Sequence, residues 1–237
     1  MSAARYFLPG WGLGRGALQE LADTLQAGII DLPGYADSPP TDDFDHAVEA
    51  VAARLPAGAT LAGWSLGAEL ALAVAARHPD KVGKLVLIAG TASFVQRDGW
   101  PHAMPPETLA EFAAGIVADP DAMLPRFVGG FNRGDRRAKA VTLQLLKQAG
   151  TWPASAVLSN GLNWLRDVDL RPLAKRVKAP TLLLHGANDP LMPLAAAETL
   201  AKLIPQAELV VLADCAHAPF ISQPEACAAS LRAFIDA

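Results

Sequence analysis

The chain has 237 residues, 51% hydrophobic and 19% charged, with two cysteines and a formal net charge of −4. That composition can fill the core of one large α/β domain and excludes fibrous, disordered and disulfide-scaffold classes. The mildly acidic balance gives no reason to expect nucleic acid, no apolar run approaches the roughly 18 residues of a membrane span, and MSAARYFLPG lacks a signal core, so a cytoplasmic protein with free thiols is expected.

In chain order, a strand at 5–8 leads through a Gly-rich loop into a helix at 17–26. A strand at 28–32 precedes a helix at 44–54, a strand at 59–63 precedes a helix at 66–77, and a strand follows at 84–89. Between Phe94 and about Leu170 strand signals vanish, and Pro101, Pro105, Pro106, Pro120, Pro125 and Pro153 punctuate helical segments. The alternation resumes with strands at 181–185 and 208–212 and helices at 194–203 and 224–235. Such a rhythm predicts a mainly parallel sheet of about six strands flanked by helices, with the Ile29 strand at one edge. Residues 1–94 and 170–237 are expected to form the α/β core, and 95–169 a helical cap over the strand ends.

The sharpest motif is Gly63-Trp64-Ser65-Leu66-Gly67, between a predicted strand and a predicted helix. A serine in G-x-S-x-G sits on a strained strand-to-helix turn that lifts its hydroxyl above the sheet, where helix N–H groups face the reacting oxygen. A hydroxyl is a poor nucleophile near neutrality and needs a base with a carboxylate to orient it. Asp189 and His217 each follow a later strand, in the order Ser, Asp, His. The other histidines fit less well: His46 and His78 lie in or at the end of helices, His102 in the insert and His185 inside a strand, where solvated or structural roles are expected. Asp31 is a rival acid that precedes the serine.

The Gly10-Trp-Gly-Leu-Gly-Arg-Gly16 loop imitates a dinucleotide fingerprint, yet its glycines alternate and never form G-x-G-x-x-G. Its expected use is an oxyanion hole, made by the N–H groups of Trp11 and Leu66. No metal-ligand spacing occurs, so neither metal nor cofactor is expected.

With these residues in hand, the chain resembles the α/β-hydrolase superfamily along nearly its whole length. More narrowly it is similar to the pimeloyl-[acyl-carrier protein] methyl ester esterases of biotin synthesis. The matching stretches are Gly10-Trp-Gly-Leu13, Asp31-Leu-Pro-Gly34, Gly63-Trp-Ser-Leu-Gly67, His78-Pro79 and Ala216-His-Ala-Pro-Phe-Ile-Ser222. Pro9-Gly10 stands where the family carries His-Gly, and the chain opens almost directly in the strand the family counts as its third. The resemblance implies a serine carboxylesterase that acts through an acyl-enzyme. Ser65, Asp189 and His217 would be its triad, Trp11 and Leu66 its oxyanion hole, and Trp11, Phe94 and Phe127 contacts for the acyl chain.

Residues 126–147 hold Arg126, Arg133, Arg136, Arg137, Lys139 and Lys147 against the single acid Asp135, a strongly basic patch on an acidic chain. An acidic acyl-carrier protein is the partner such a patch would steer, with Arg126, Arg133, Arg136, Arg137 and Lys139 as its contacts; the bland reading is a solvated helix face. The protein is expected to act as a monomer. Two rival functions remain: a broad short-acyl esterase or thioesterase needing no carrier, and a silent ligand-binding protein on the same fold.

Overall fold

In a computed structural model that describes residues 3–237, the chain begins with β1 (Arg5–Leu8), a 3-10 turn (Arg15–Leu18), α1 (Gln19–Thr24) and β2 (Gly28–Ile29). α2 (Phe44–Ala53), β3 (Ala59–Trp64), α3 (Leu66–Arg77) and β4 (Val82–Ile88) follow. Four helices come next: α4 (Pro106–Ala118), α5 (Pro120–Phe131), α6 (Ala138–Ala149) and α7 (Ser155–Asp167). The chain then closes with α8 (Arg171–Ala174), β5 (Thr181–Gly186), α9 (Leu194–Leu203), β6 (Ala207–Leu212), α10 (Pro219–Ser222) and α11 (Pro224–Asp236).

The six strands pair in the order β2-β1-β3-β4-β5-β6 and every pairing is parallel. Parallel strands need helical crossovers that cover both faces, so their sequences read as continuous apolar runs. β3 and β5 obey this closely, with every residue buried. Small side chains let α3 lie close against the sheet: eleven of its twelve residues are buried, most of them alanine or leucine. On α2 the buried residues Phe44, Ala47, Val48, Val51 and Ala52 repeat at helical spacing. Asp43 caps that helix by accepting from the N–H groups of Asp45 and His46.

From β1 the chain steps outward to β2 and then crosses back to β3 on the other side. Loops leaving the C-terminal ends of β1 and β3 therefore diverge, and this is where open α/β sheets form a crevice. The Trp11 loop follows β1 and Ser65 follows β3. Phe94, Asp189 and His217 lie beyond β4, β5 and β6, so the expected site residues of the core gather along one edge of the sheet.

Three expectations need correction. The edge strand is two residues, Gly28–Ile29, rather than 28–32. Ile30 N still bonds to Phe7 O, after which Asp31 turns aside to pair with Arg15, and Pro33, lacking an N–H, could not extend the ladder. Asp31 thus ends no strand, and its partner is Arg15. The helix expected at 17–26 is a 3-10 turn followed by six α-helical residues. Among the described residues no helix is long and apolar enough to cross a membrane.

Candidate active site

Ser65 stands at the junction of β3 and α3 with φ 57° and ψ −122°, a left-handed backbone that a serine adopts only when its surroundings enforce it. The enforcement is close packing. A Cβ on Gly67 would lie 2.5 Å from Pro9 O and closer still to Leu8 O, so only glycine lets α3 begin this near to β1. The loop after β1 runs directly against the serine, since a Cβ on Gly10 would stand 3.3 Å from Ser65 Cβ.

Ser65 Oγ lies 3.0 Å from His217 Nε2, and His217 Nδ1 lies 2.7 Å from Asp189 Oδ2. The other oxygen of Asp189 accepts from the N–H groups of Leu191 and Met192, each at 2.9 Å. That carboxylate is fixed by the backbone of its own loop and aimed at the imidazole. His217 is held by its chain as well, because its carbonyl accepts from Trp64 Nε1 at 2.8 Å. Its ring packs against those of both Trp64 and Phe131. All three polar side chains are buried, so their hydrogen bonds compete little with water. A serine, a base and an orienting acid in this geometry can carry out nucleophilic acyl transfer.

Neither the Trp11 N–H nor the Leu66 N–H is engaged by an acceptor among the described residues. Leu66 opens α3, where first-turn amides have no intrahelical partner. The Trp11 loop is clamped on both sides: Tyr35 Oη accepts from Gly12 N–H at 2.8 Å, and the Trp11 indole donates to Leu158 O of α7 at 2.9 Å. Burial raises the Tyr35 phenol above its ordinary range, so the side chain stays neutral.

Above Ser65 lies a cavity of about 310 Å³. Trp11, Phe94 and Phe127 line it, and so do Phe112, Leu162 and Leu191. Arg126, on α5, is the single Lys or Arg of the lining. Arg133, Arg136 and Lys139 are exposed nearby in sequence, whereas Arg137 is partly diverted, its guanidinium donating to Ser222 O at 2.8 Å.

Two further buried groups stand beside these loops. His185 is buried against the acid: its Nε2 lies 2.7 Å from Met192 O and 3.7 Å from Asp189 Oδ2, and its Nδ1 has no partner. Burial lowers its pKa, so it remains a neutral imidazole packed beneath the acid loop. Asp135 accepts from Ala216 N–H at 3.0 Å, one residue before His217. The only clue in the sequence was an isolated acid within a basic run. Among the described residues no cluster of His, Cys, Asp or Glu is suited to a metal ion.

A family model described as the alpha/beta hydrolase fold matches residues 6–224. The pimeloyl-[acyl-carrier protein] methyl ester esterase of Aromatoleum aromaticum is 40% identical over 233 residues, covering 93% of each chain. The protein of the same name from Nitrosomonas europaea is 36% identical over 92% of this chain and 90% of its own length. Among solved structures, an esterase from Exiguobacterium antarcticum superposes with a TM-score of 0.87 at 22% identity, covering 100% of this chain and 94% of that one. A bromoperoxidase from Bacillus anthracis reaches the same score at 17% identity, covering 100% and 93%, so the scaffold is shared by enzymes of differently named activities. On sequence and fold together, the chain belongs to the α/β-hydrolase superfamily and, within it, to the family of the pimeloyl-[acyl-carrier protein] methyl ester esterases.

Proposed function

We propose that this protein hydrolyses the methyl ester of a pimeloyl group carried on an acyl-carrier protein, through an acyl-enzyme on Ser65. The observation that carries the reading is the buried Ser65, His217 and Asp189 relay at the floor of an apolar cavity, in a chain of this family. Ser65 Oγ attacks the ester carbonyl carbon as its proton passes to His217 Nε2. Negative charge moving onto the carbonyl oxygen is received by the N–H groups of Trp11 and Leu66. When the tetrahedral intermediate collapses, the methoxy oxygen takes the proton from His217 and leaves as methanol. Water, deprotonated by the same imidazole, then attacks the acyl-enzyme and frees a carboxylate while Ser65 regains its proton. Asp189 keeps Nδ1 protonated throughout, leaving Nε2 free to accept.

The methylene chain suits the apolar walls, with Trp11, Phe94 and Phe127 in contact with it. Residues 95–169 act as a cap over a core of 1–94 and 170–237, and Arg126 lies where the chain would emerge. Arg126, Arg133, Arg136 and Lys139, with Arg137 in a lesser part, form a basic face for an acidic carrier.

The test is hydrolysis of pimeloyl-carrier methyl ester at low and high salt beside p-nitrophenyl butyrate, with Ser65→Ala as the blank. Carrier-ester turnover that is preferred, abolished in Ser65→Ala and weakened by salt is the expected result. Butyrate turnover alone would reduce the protein to a general esterase, and the absence of any Ser65-dependent turnover would leave a binding protein.

A further inference from the structure

The turn at 132–137, between α5 and α6, touches the loops of both Asp189 and His217. Gly134 O accepts from Asn188 Nδ2 at 2.9 Å, beside the acid. Arg136 N donates to Asp214 O at 2.9 Å, three residues before the base. Between these contacts Asp135 is only 7% exposed, and no cationic side chain pairs with it among the described residues. Its Oδ1 accepts from Arg137 N at 2.6 Å, which braces the carboxylate against its own turn. Its Oδ2 accepts from Ala216 N–H at 3.0 Å.

A carboxylate is costly to bury, and here both oxygens are committed to backbone amides. One of those amides adjoins His217, whose loop is held at three successive residues. Cys215 O accepts from Asn188 N at 2.8 Å, Ala216 N–H donates to Asp135, and His217 O accepts from Trp64 Nε1 at 2.8 Å. The outer two ties come from segments that follow β5 and belong to β3. The middle one alone comes from the helical segment between β4 and α8.

We propose that Asp135 is a positioning residue which, by holding the Ala216 N–H, sets His217 Nε2 against Ser65 Oγ and makes proton transfer between them depend on the α5–α6 turn. The proposal rests on Ser65 and His217 acting as nucleophile and base. It concerns geometry rather than charge, so a charged oxygen displaced by one methylene should not serve.

The experiment follows covalent labelling of Ser65 by a fluorophosphonate, with kcat and KM for p-nitrophenyl butyrate and Tm for each variant. Asp135→Ala should slow labelling and kcat about tenfold to a hundredfold with KM changed less than about twofold, as expected for a reacting group misplaced by a fraction of an ångström. If the alanine variant does not fold, Asp135→Glu takes its place and should be slow. Leu21→Ala, in the distant α1, controls for lowered stability and should label at the wild-type rate. Labelling at the wild-type rate in folded Asp135→Ala or Asp135→Glu would overturn the proposal. Failure of the wild-type protein itself to label would instead overturn the reading of Ser65 and His217.

Discussion

Gly161, on α7, faces the indole of Trp11, and replacing it with alanine tests whether the helical segment supports the proposed oxyanion loop. The new Cβ would stand 2.9 Å from Trp11 Nε1 and nearer still to Cδ1. Ordinary carbon contacts begin at about 3.5 Å, so about an ångström must be relieved. The indole has little room to yield, since Phe112 and Phe127 meet it edge-on at 5.7 and 5.3 Å and Leu158 O accepts its N–H. Either α7 lifts or Trp11 shifts, and a shift carries the Trp11 N–H away from the place proposed for the oxyanion. Overpacking of this kind costs about 1–3 kcal/mol of stability. Partial loss of one oxyanion donor should lower kcat by about 10²-fold. Thermal melts and kcat on p-nitrophenyl butyrate, measured well below Tm, provide the comparison. Wild-type kcat in a variant whose Tm has fallen would refute the link between α7 and the oxyanion hole.

Other consequences can be checked separately. Asp189→Asn presents an amide to His217 and should lower kcat by about 10⁴-fold, as expected when the imidazole takes the wrong tautomer; near-normal turnover would remove Asp189 from the relay. Glu69 is buried in α3 with Oε1 unpartnered, and burial raises its carboxyl pKa well above 4.5. Because the folded value exceeds the unfolded one, its contribution to stability is fully present below pH 4.5 and is lost as pH rises toward the folded value. Glu69→Gln should therefore melt increasingly above wild type as pH rises from 4.5. A Tm difference that does not vary with pH would show that Glu69 ionises freely. Charge reversal at Arg126, Arg133 and Arg136 together should depress kcat/KM for a carrier-linked ester more than for a free ester, and an equal loss on both would argue against a docking face.

Much of the site was legible because its signals are local. Ser65 announces itself through flanking glycines that the turn requires, and Asp189 and His217 each follow an apolar run of strand length, fully buried in β5 and half-exposed in the edge strand β6. Parallel strands all end on the same side of their sheet, so residues placed after successive strands converge even though 124 positions separate Ser65 from Asp189. The edge strand was less legible. Nothing in the residues 28–32 says that Asp31 will prefer Arg15 to the ladder, since that choice depends on where the 3-10 turn brings the guanidinium.

The polar contacts by which other remote segments brace these loops were not readable. Asp135 appears in the sequence as one acid among six bases, and only the packing of the α5–α6 turn against the loops after β5 and β6 gives its carboxylate the Ala216 amide. Arg137 reads as another free cation until α10 offers it Ser222 O. His185 reads as a strand residue until burial beneath Asp189 makes it a neutral prop. Sequence alone determined the strand order of the chemistry, because periodicity and turn sterics act within a few residues. Tertiary structure decided which polar groups hold that chemistry in place, because a buried donor takes whichever acceptor the packing of distant helices brings within 3 Å.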